Sequence, residues 1–214
     1  MNYDDLSDET EDTTEGTKLR ITTARAVKNN YSVYLYECLD EPADYAPLQS
    51  LFRKATANDT ITLYINSPGG SIWICQQILN AMSNCKAKLI TVADGIVASC
   101  ATFIFLHGDE YIVNDYSEFM AHTYSTFVFG KGHEVADRSR FREKEWGRFV
   151  KKFYKDFLTK KEIKKLINGK DYWLGAKEIK ERLKGYTPPK TTAKAKPTTK
   201  EKKPATKEKK PATK

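Results

Sequence analysis

Apolar and polar positions change period several times along the chain, and each change marks an element. Residues 32–39, SVYLYECL, are rich in β-branched and aromatic side chains and predict a first strand. In 43–56, Leu48, Leu51 and Phe52 recur at helical spacing before ANDT breaks the pattern. ITLYINS, 61–67, predicts a second strand ended by the turn SPGG. In 71–85, Ile72, Cys75, Ile78, Leu79 and Met82 share one helical face. Residues 88–99 predict a third strand, 100–108 a short apolar helix, and 110–122 two short strands. A long helix is expected over 133–159, with Phe141, Trp146, Phe149, Val150, Phe153 and Phe157 available to pack.

Strands alternating with helices imply right-handed crossovers and a largely parallel sheet, an α/β fold. Functional groups in such folds gather at the carboxyl ends of the strands. SPGG and Ser99 both fall at ends of that kind.

Charge divides the chain. The net +8 hides seven acids and no base in residues 1–15, and ten Lys against two Glu in 187–214. Residues 1–30 are expected to be an acidic, largely disordered segment, and 187–214 a disordered Lys/Pro/Thr-rich tail. Such a tail either solubilises the particle or makes weak polyanion contacts. The folded domain is expected over 31–186. Cys38, Cys75, Cys85 and Cys100 have no metal-like spacing and are expected to be buried free thiols, with no metal bound. The acidic start is unlike a secretory signal, and the uncharged stretch around Ser99 is too short to span a membrane. The expectation is a cytoplasmic protein.

Ser99 stands in GIVASCATF, where a buried strand turns into a buried helix. Read locally, it is a small core residue; at a strand end, it is a candidate nucleophile. A nucleophilic serine needs a base, a group to orient that base, and donors for an oxyanion. Of three histidines, His107 reads as a surface turn residue and His133 as an exposed helix start, whereas His122 closes the strand EFMAH. Asp109, Asp115, Asp137, Asp156 and Asp171 all lie downstream, and spacing does not choose among them. The glycines of SPGG let backbone N–H groups approach a ligand, and the Cys100 N–H opens the next helix.

At YINSPGGS, ITVADGIVASCATF, FMAH and KDYWLGAKEIKERLKGY the chain resembles the Clp protease proteolytic subunits of the Clp/crotonase superfamily, from about Val33 to Tyr186. The resemblance implies a fold of repeated β-β-α units with a protruding handle helix. It implies Ser99 as nucleophile, His122 as general base, Asp171 as orienting acid, and the backbone of Gly70 and Cys100 as oxyanion donors. It further implies two stacked heptameric rings and a hexameric AAA+ unfoldase of the ClpX or ClpA type. That partner consumes the ATP, so this chain is expected to bind no cofactor while it cleaves peptides and unfolded proteins.

Several positions depart from the family pattern. Ala101 stands where the family has Gly, and no Pro follows His122-Thr123. Lys170 replaces an Arg that helps lock the rings, and Tyr64 with Thr62 replaces an aromatic pair of the unfoldase pocket. Two other readings are a crotonase-like acyl-CoA enzyme and an inactive ring or scaffold subunit. The first explains SPGG but not Ser99, His122 and Asp171 together; the second needs a geometric defect.

Overall fold

A computed structural model describes residues 28–189. The expectations for the acidic segment and the Lys-rich tail lie outside the described residues, apart from the few at their inner ends. Chain order is β1 (Asn30–Leu39), a 3-10 turn (Pro42–Tyr45), α1 (Ala46–Lys54), β2 (Thr60–Gly70), α2 (Ile72–Ser83), β3 (Lys88–Ala98) and α3 (Ala101–Phe105). There follow β4 (Glu110–Val113), β5 (Glu118–Ala121), α4 (Gly132–Tyr154), α5 (Lys160–Ile167), β6 (Tyr172–Gly175) and α6 (Ala176–Leu183).

The six strands form one sheet in the order β1-β2-β3-β5-β6, with β4 also paired to β3. All pairings are parallel except β5 with β6. This is the mixed α/β fold expected, with one antiparallel strand that hydrophobic periodicity did not reveal. Ile61, Leu63 and Ile65 of β2 alternate into the core, which they share with Ile74, Cys75, Ile78 and Met82 of α2. Phe103 and Phe105 of α3 lie wholly inside it.

Four expectations change. SPGG does not end β2: the strand continues to Gly70, and its register on β1 slips between Tyr36 and Cys38. Two residues of β2, Ser67 and Pro68, there face the single Glu37, which sits at φ +69, and the Ser67 hydroxyl donates to the Glu37 carbonyl oxygen at 2.5 Å. Cys38 shares the exposed face of β1 with Tyr34 and Tyr36, opposite Leu35 and Leu39, so only Cys75, Cys85 and Cys100 are buried thiols. His107 is no surface residue: it is buried, with Nε2 3.0 Å from the Ser83 hydroxyl.

The long helix ends at Tyr154 rather than 159, because Lys155 leaves helical geometry at ψ 135 and Asp156 follows at φ +67, which brings Phe157 back into the core. Thr159 then opens α5 with a capping box, its N–H and hydroxyl donating to the Glu162 carboxylate at 2.7 and 2.9 Å. Only Val150, Phe153 and Tyr154 of α4 are buried, so the helix stands off the core along most of its length. It is the protruding helix.

Arg182 of α6 clamps α5 through Glu162 at 2.8 Å, both side chains being about four-fifths buried. The Arg182 hydrogen bonds, opposed by the cost of burial, hold the Glu162 carboxyl down from 4.5 to about 2. A depressed carboxyl stabilises the fold above its unfolded value and loses that contribution as pH falls toward the folded one. Glu162→Gln is therefore expected to cost about 2 kcal/mol at pH 7, or ~5 °C in Tm. Thermal melts should show the gap closing as pH falls from 4.5 toward about 2. A gap unchanged at low pH would contradict the assignment.

Candidate active site

β3 and β5 lie parallel, with Ile96, Val97 and Ala98 opposite Glu118, Phe119 and Met120. Carried one step further, that register sets Ser99 beside Ala121, with His122 next along. Ser99 leaves the strand at φ +55, in the left-handed region that costs a non-glycine residue free energy. Its N–H donates to the Met120 carbonyl at 2.8 Å, and its own carbonyl accepts from the Thr102 N–H at 3.2 Å. These bonds hold a sharp strand-to-helix turn, and the turn aims the side chain at β5. His122 Nε2 lies 2.7 Å from Ser99 Oγ. A hydroxyl so placed can surrender its proton to the imidazole as it attacks an electrophile.

Both glycines of SPGG are fixed by close contacts. A Cβ at Gly69 would lie 2.6 Å from Ser99 Cβ and 3.1 Å from the Cys100 nitrogen. A Cβ at Gly70 would lie 2.4 Å from the Leu39 carbonyl oxygen. The glycines are thus demanded by the protein itself, by the elbow at Gly69 and by β1 at Gly70. The Cys100 thiol lies 3.4 Å from the Gly70 carbonyl oxygen, so the two residues expected to donate to an oxyanion are neighbours. A hydrogen bond with the Cys75 thiol, against the effect of burial, brings the Cys100 thiol below its ordinary value.

The structure also sorts the downstream aspartates. Asp109 accepts from the Leu89 N–H, Asp115 pairs with Lys180, and Asp137 pairs with Arg140. In the β5–β6 pairing Ala121 faces Tyr172, so the antiparallel register puts Asp171 opposite His122. The Asp171 side chain is exposed, and among the described residues it makes no hydrogen bond to His122. Ser99 and His122 are brought together; Asp171 is brought alongside in the backbone alone. His133 is exposed, as expected. Among the described residues no group of three or more His, Cys, Asp or Glu could hold a metal ion, and no helix is long and apolar enough to cross a membrane.

A sequence profile of the Clp protease family matches residues 20–182. The chain belongs to the Clp protease family. The family match begins inside the segment that composition set apart as 1–30 and stops short of Tyr186. Over 105 residues the chain is 37% identical to the ATP-dependent Clp protease proteolytic subunit 3, chloroplastic, of Arabidopsis thaliana, covering 47% of this chain and 34% of that one. Over 85 residues it is 34% identical to the ATP-dependent Clp protease proteolytic subunit of Chlorella vulgaris, covering 39% and 42%. The matched regions thus span less than half the length of these two relatives. A third relative, the ATP-dependent Clp protease proteolytic subunit 3 of Rhizobium meliloti (strain 1021), is 28% identical over 84% of this chain and 92% of its own length.

In this Clp family member, the role of Gly69 in shaping the elbow was not legible, because SPGG gave no means of separating its two glycines. Gly69→Ala would force Cβ against Ser99 and occupy φ +94. Displacing a nucleophile by about 1 Å can cost ~10²-fold in rate. The covalent reaction of Ser99 with a fluorophosphonate is expected to slow by about that factor, followed by labelling kinetics. A rate within about threefold of wild type would show that the elbow tolerates the Cβ.

Proposed function

We propose that the chain is a serine endopeptidase, the proteolytic subunit of an ATP-dependent Clp-type protease. Ser99 Oγ attacks the peptide carbonyl while His122 Nε2 takes its proton. The oxyanion that develops is met by the N–H groups of Gly70 and Cys100. Collapse of the tetrahedral species expels the amine, protonated by His122, and leaves an acyl-serine; water then repeats the sequence to release the acid. Asp171 accepts from the His122 Nδ1–H and stabilises the imidazolium. That role asks its exposed carboxylate to turn toward the ring. The single observation that carries the proposal is the 2.7 Å contact between a left-handed serine and a strand-end histidine.

The active particle is proposed to be a closed chamber of two stacked heptameric rings. Phe127, Phe129 and Phe141 are 92%, 86% and 66% exposed, an amount of apolar surface unusual in a lone subunit. An AAA+ unfoldase of the ClpX or ClpA type would feed unfolded chains into the chamber and consume the ATP, with no cofactor on this chain. A cytoplasmic site of action fits that role, and weak polyanion contact by residues 187–214 rests on their ten Lys. The exposed Asp171 carboxylate favours a second reading, an inactive ring subunit. A crotonase-like acyl-CoA enzyme gives no account of the Ser99–His122 contact.

Hydrolysis of a short fluorogenic peptide separates these readings. Ser99→Ala is expected to remove activity by on the order of 10⁶, to background, with the melt unchanged. Asp171→Asn should cost ~10²–10⁴-fold. A folded Ser99→Ala protein with more than about a tenth of wild-type activity would refute the assignment. A nearly neutral Asp171→Asn would hand the orienting role elsewhere. In sedimentation the protein is expected to run as a large oligomer of about fourteen subunits, and a fully active monomer would exclude the chamber.

A further inference from the structure

Thr102 lies in α3, three positions after the nucleophile, and is fully buried. Its hydroxyl donates to the Ser99 carbonyl oxygen at 2.5 Å and lies 2.6 Å from the Tyr154 hydroxyl. A threonine hydroxyl carries one proton, and a carbonyl oxygen can only accept. The Thr102 proton is therefore committed to Ser99, which leaves Tyr154 as the donor in the second bond. Burial holds the Tyr154 phenol far above its ordinary value, so it keeps its proton throughout the working pH range. The chain of bonds has one direction, from Tyr154 through Thr102 to the Ser99 carbonyl, and each bond polarises the next.

The peptide unit gives that direction its consequence. The Ser99 carbonyl and the Cys100 N–H belong to one planar peptide group, and none of the described peptide bonds is cis. In a trans peptide the N–H points opposite to the carbonyl. Whatever holds the Ser99 carbonyl toward Thr102 therefore aims the Cys100 N–H the other way. Tyr154 is itself fully buried: it closes α4 and packs on Phe103, with ring centroids 5.0 Å apart, and on Phe119 at 6.3 Å.

We propose that Tyr154 is a positioning residue, which acts through the Thr102 hydroxyl to fix the Ser99–Cys100 peptide plane and hence the aim of the Cys100 N–H at the oxyanion. This rests on the peptidase reading above. It joins the last turn of the protruding helix to the reacting centre, so the seating of α4 on the core and the rate of the chemical step are linked.

Tyr154→Phe keeps the ring and removes the donor; Thr102→Val removes the relay at nearly constant volume. Because the oxyanion is absent from the bound ground state and develops on the way to the tetrahedral species, a misaimed donor lowers kcat and leaves KM alone. On a short peptide, with active sites counted by fluorophosphonate titration, each variant is expected to lose about tenfold in kcat, with KM within about twofold. The two bonds act in series, so the double variant should lose little more than either single one. A kcat per titrated site within twofold of wild type in either variant would overturn the proposal. So would losses that multiply in the double variant, or a loss carried by KM. If Tyr154→Phe does not assemble, Thr102→Val decides alone by the same criterion. Wild-type hydrolysis and its loss in Ser99→Ala, run alongside, report separately on the peptidase reading.

Discussion

The structure turns on the backbone of one residue. Ser99 sits at φ +55, and an ordinary side chain occupies that conformation only where its surroundings over-determine it. Here they do: the Met120 carbonyl holds its N–H, Thr102 holds its carbonyl with both N–H and hydroxyl, and His122 meets its side chain. Gly69 fills the space behind, where no Cβ fits. These partners come from three places, β5 with the residue that follows it, α3 and β2, so the sheet order and the elbow require one another. β5 must lie beside β3 for His122 to reach Ser99, and β2 must carry its glycines past the usual strand end to back the turn.

The same logic explains how the core is spent. Phe103 and Phe105 bury α3 completely, which fixes the helix that Ser99 feeds. Phe103 meets Trp146, Phe149, Phe153 and Tyr154 of α4 at centroid distances between 4.6 and 5.7 Å. Beyond that aromatic junction α4 runs outward, with Phe141 exposed. The helix is thus anchored at the elbow and free elsewhere, an arrangement suited to carrying contacts with another subunit.

Much of this was legible in the sequence because it is local. Hydrophobic period placed β1 to β5 and α1 to α4, and strand-end position singled out Ser99 and His122 before any geometry was known. What escaped was nonlocal or governed by single backbone angles. β6 is no shorter than β4 or β5, but its antiparallel pairing with β5 ties together segments about fifty residues apart, which no local pattern shows. α5 had a readable signal in its T-x-x-E capping box, Thr159 to Glu162. The end of α4 was hidden because Asp156 at φ +67 turns the chain while Phe157 keeps the apolar spacing. His107 looked exposed beside Gly and Asp, yet Ser83 supplies a partner inside. Tyr154 was not among the side chains that the helical spacing offered for packing; only its hydroxyl's neighbour gives it a role.

In the proposed peptidase Ser99 is a nucleophile activated by His122. Treatment of the wild-type protein with a fluorophosphonate, followed by peptide mapping, tests it most directly. One adduct per chain is expected, on Ser99, formed at least about a hundredfold more slowly in His122→Ala. A folded protein in which Ser99 stays unlabelled, or is labelled equally fast without His122, would contradict it.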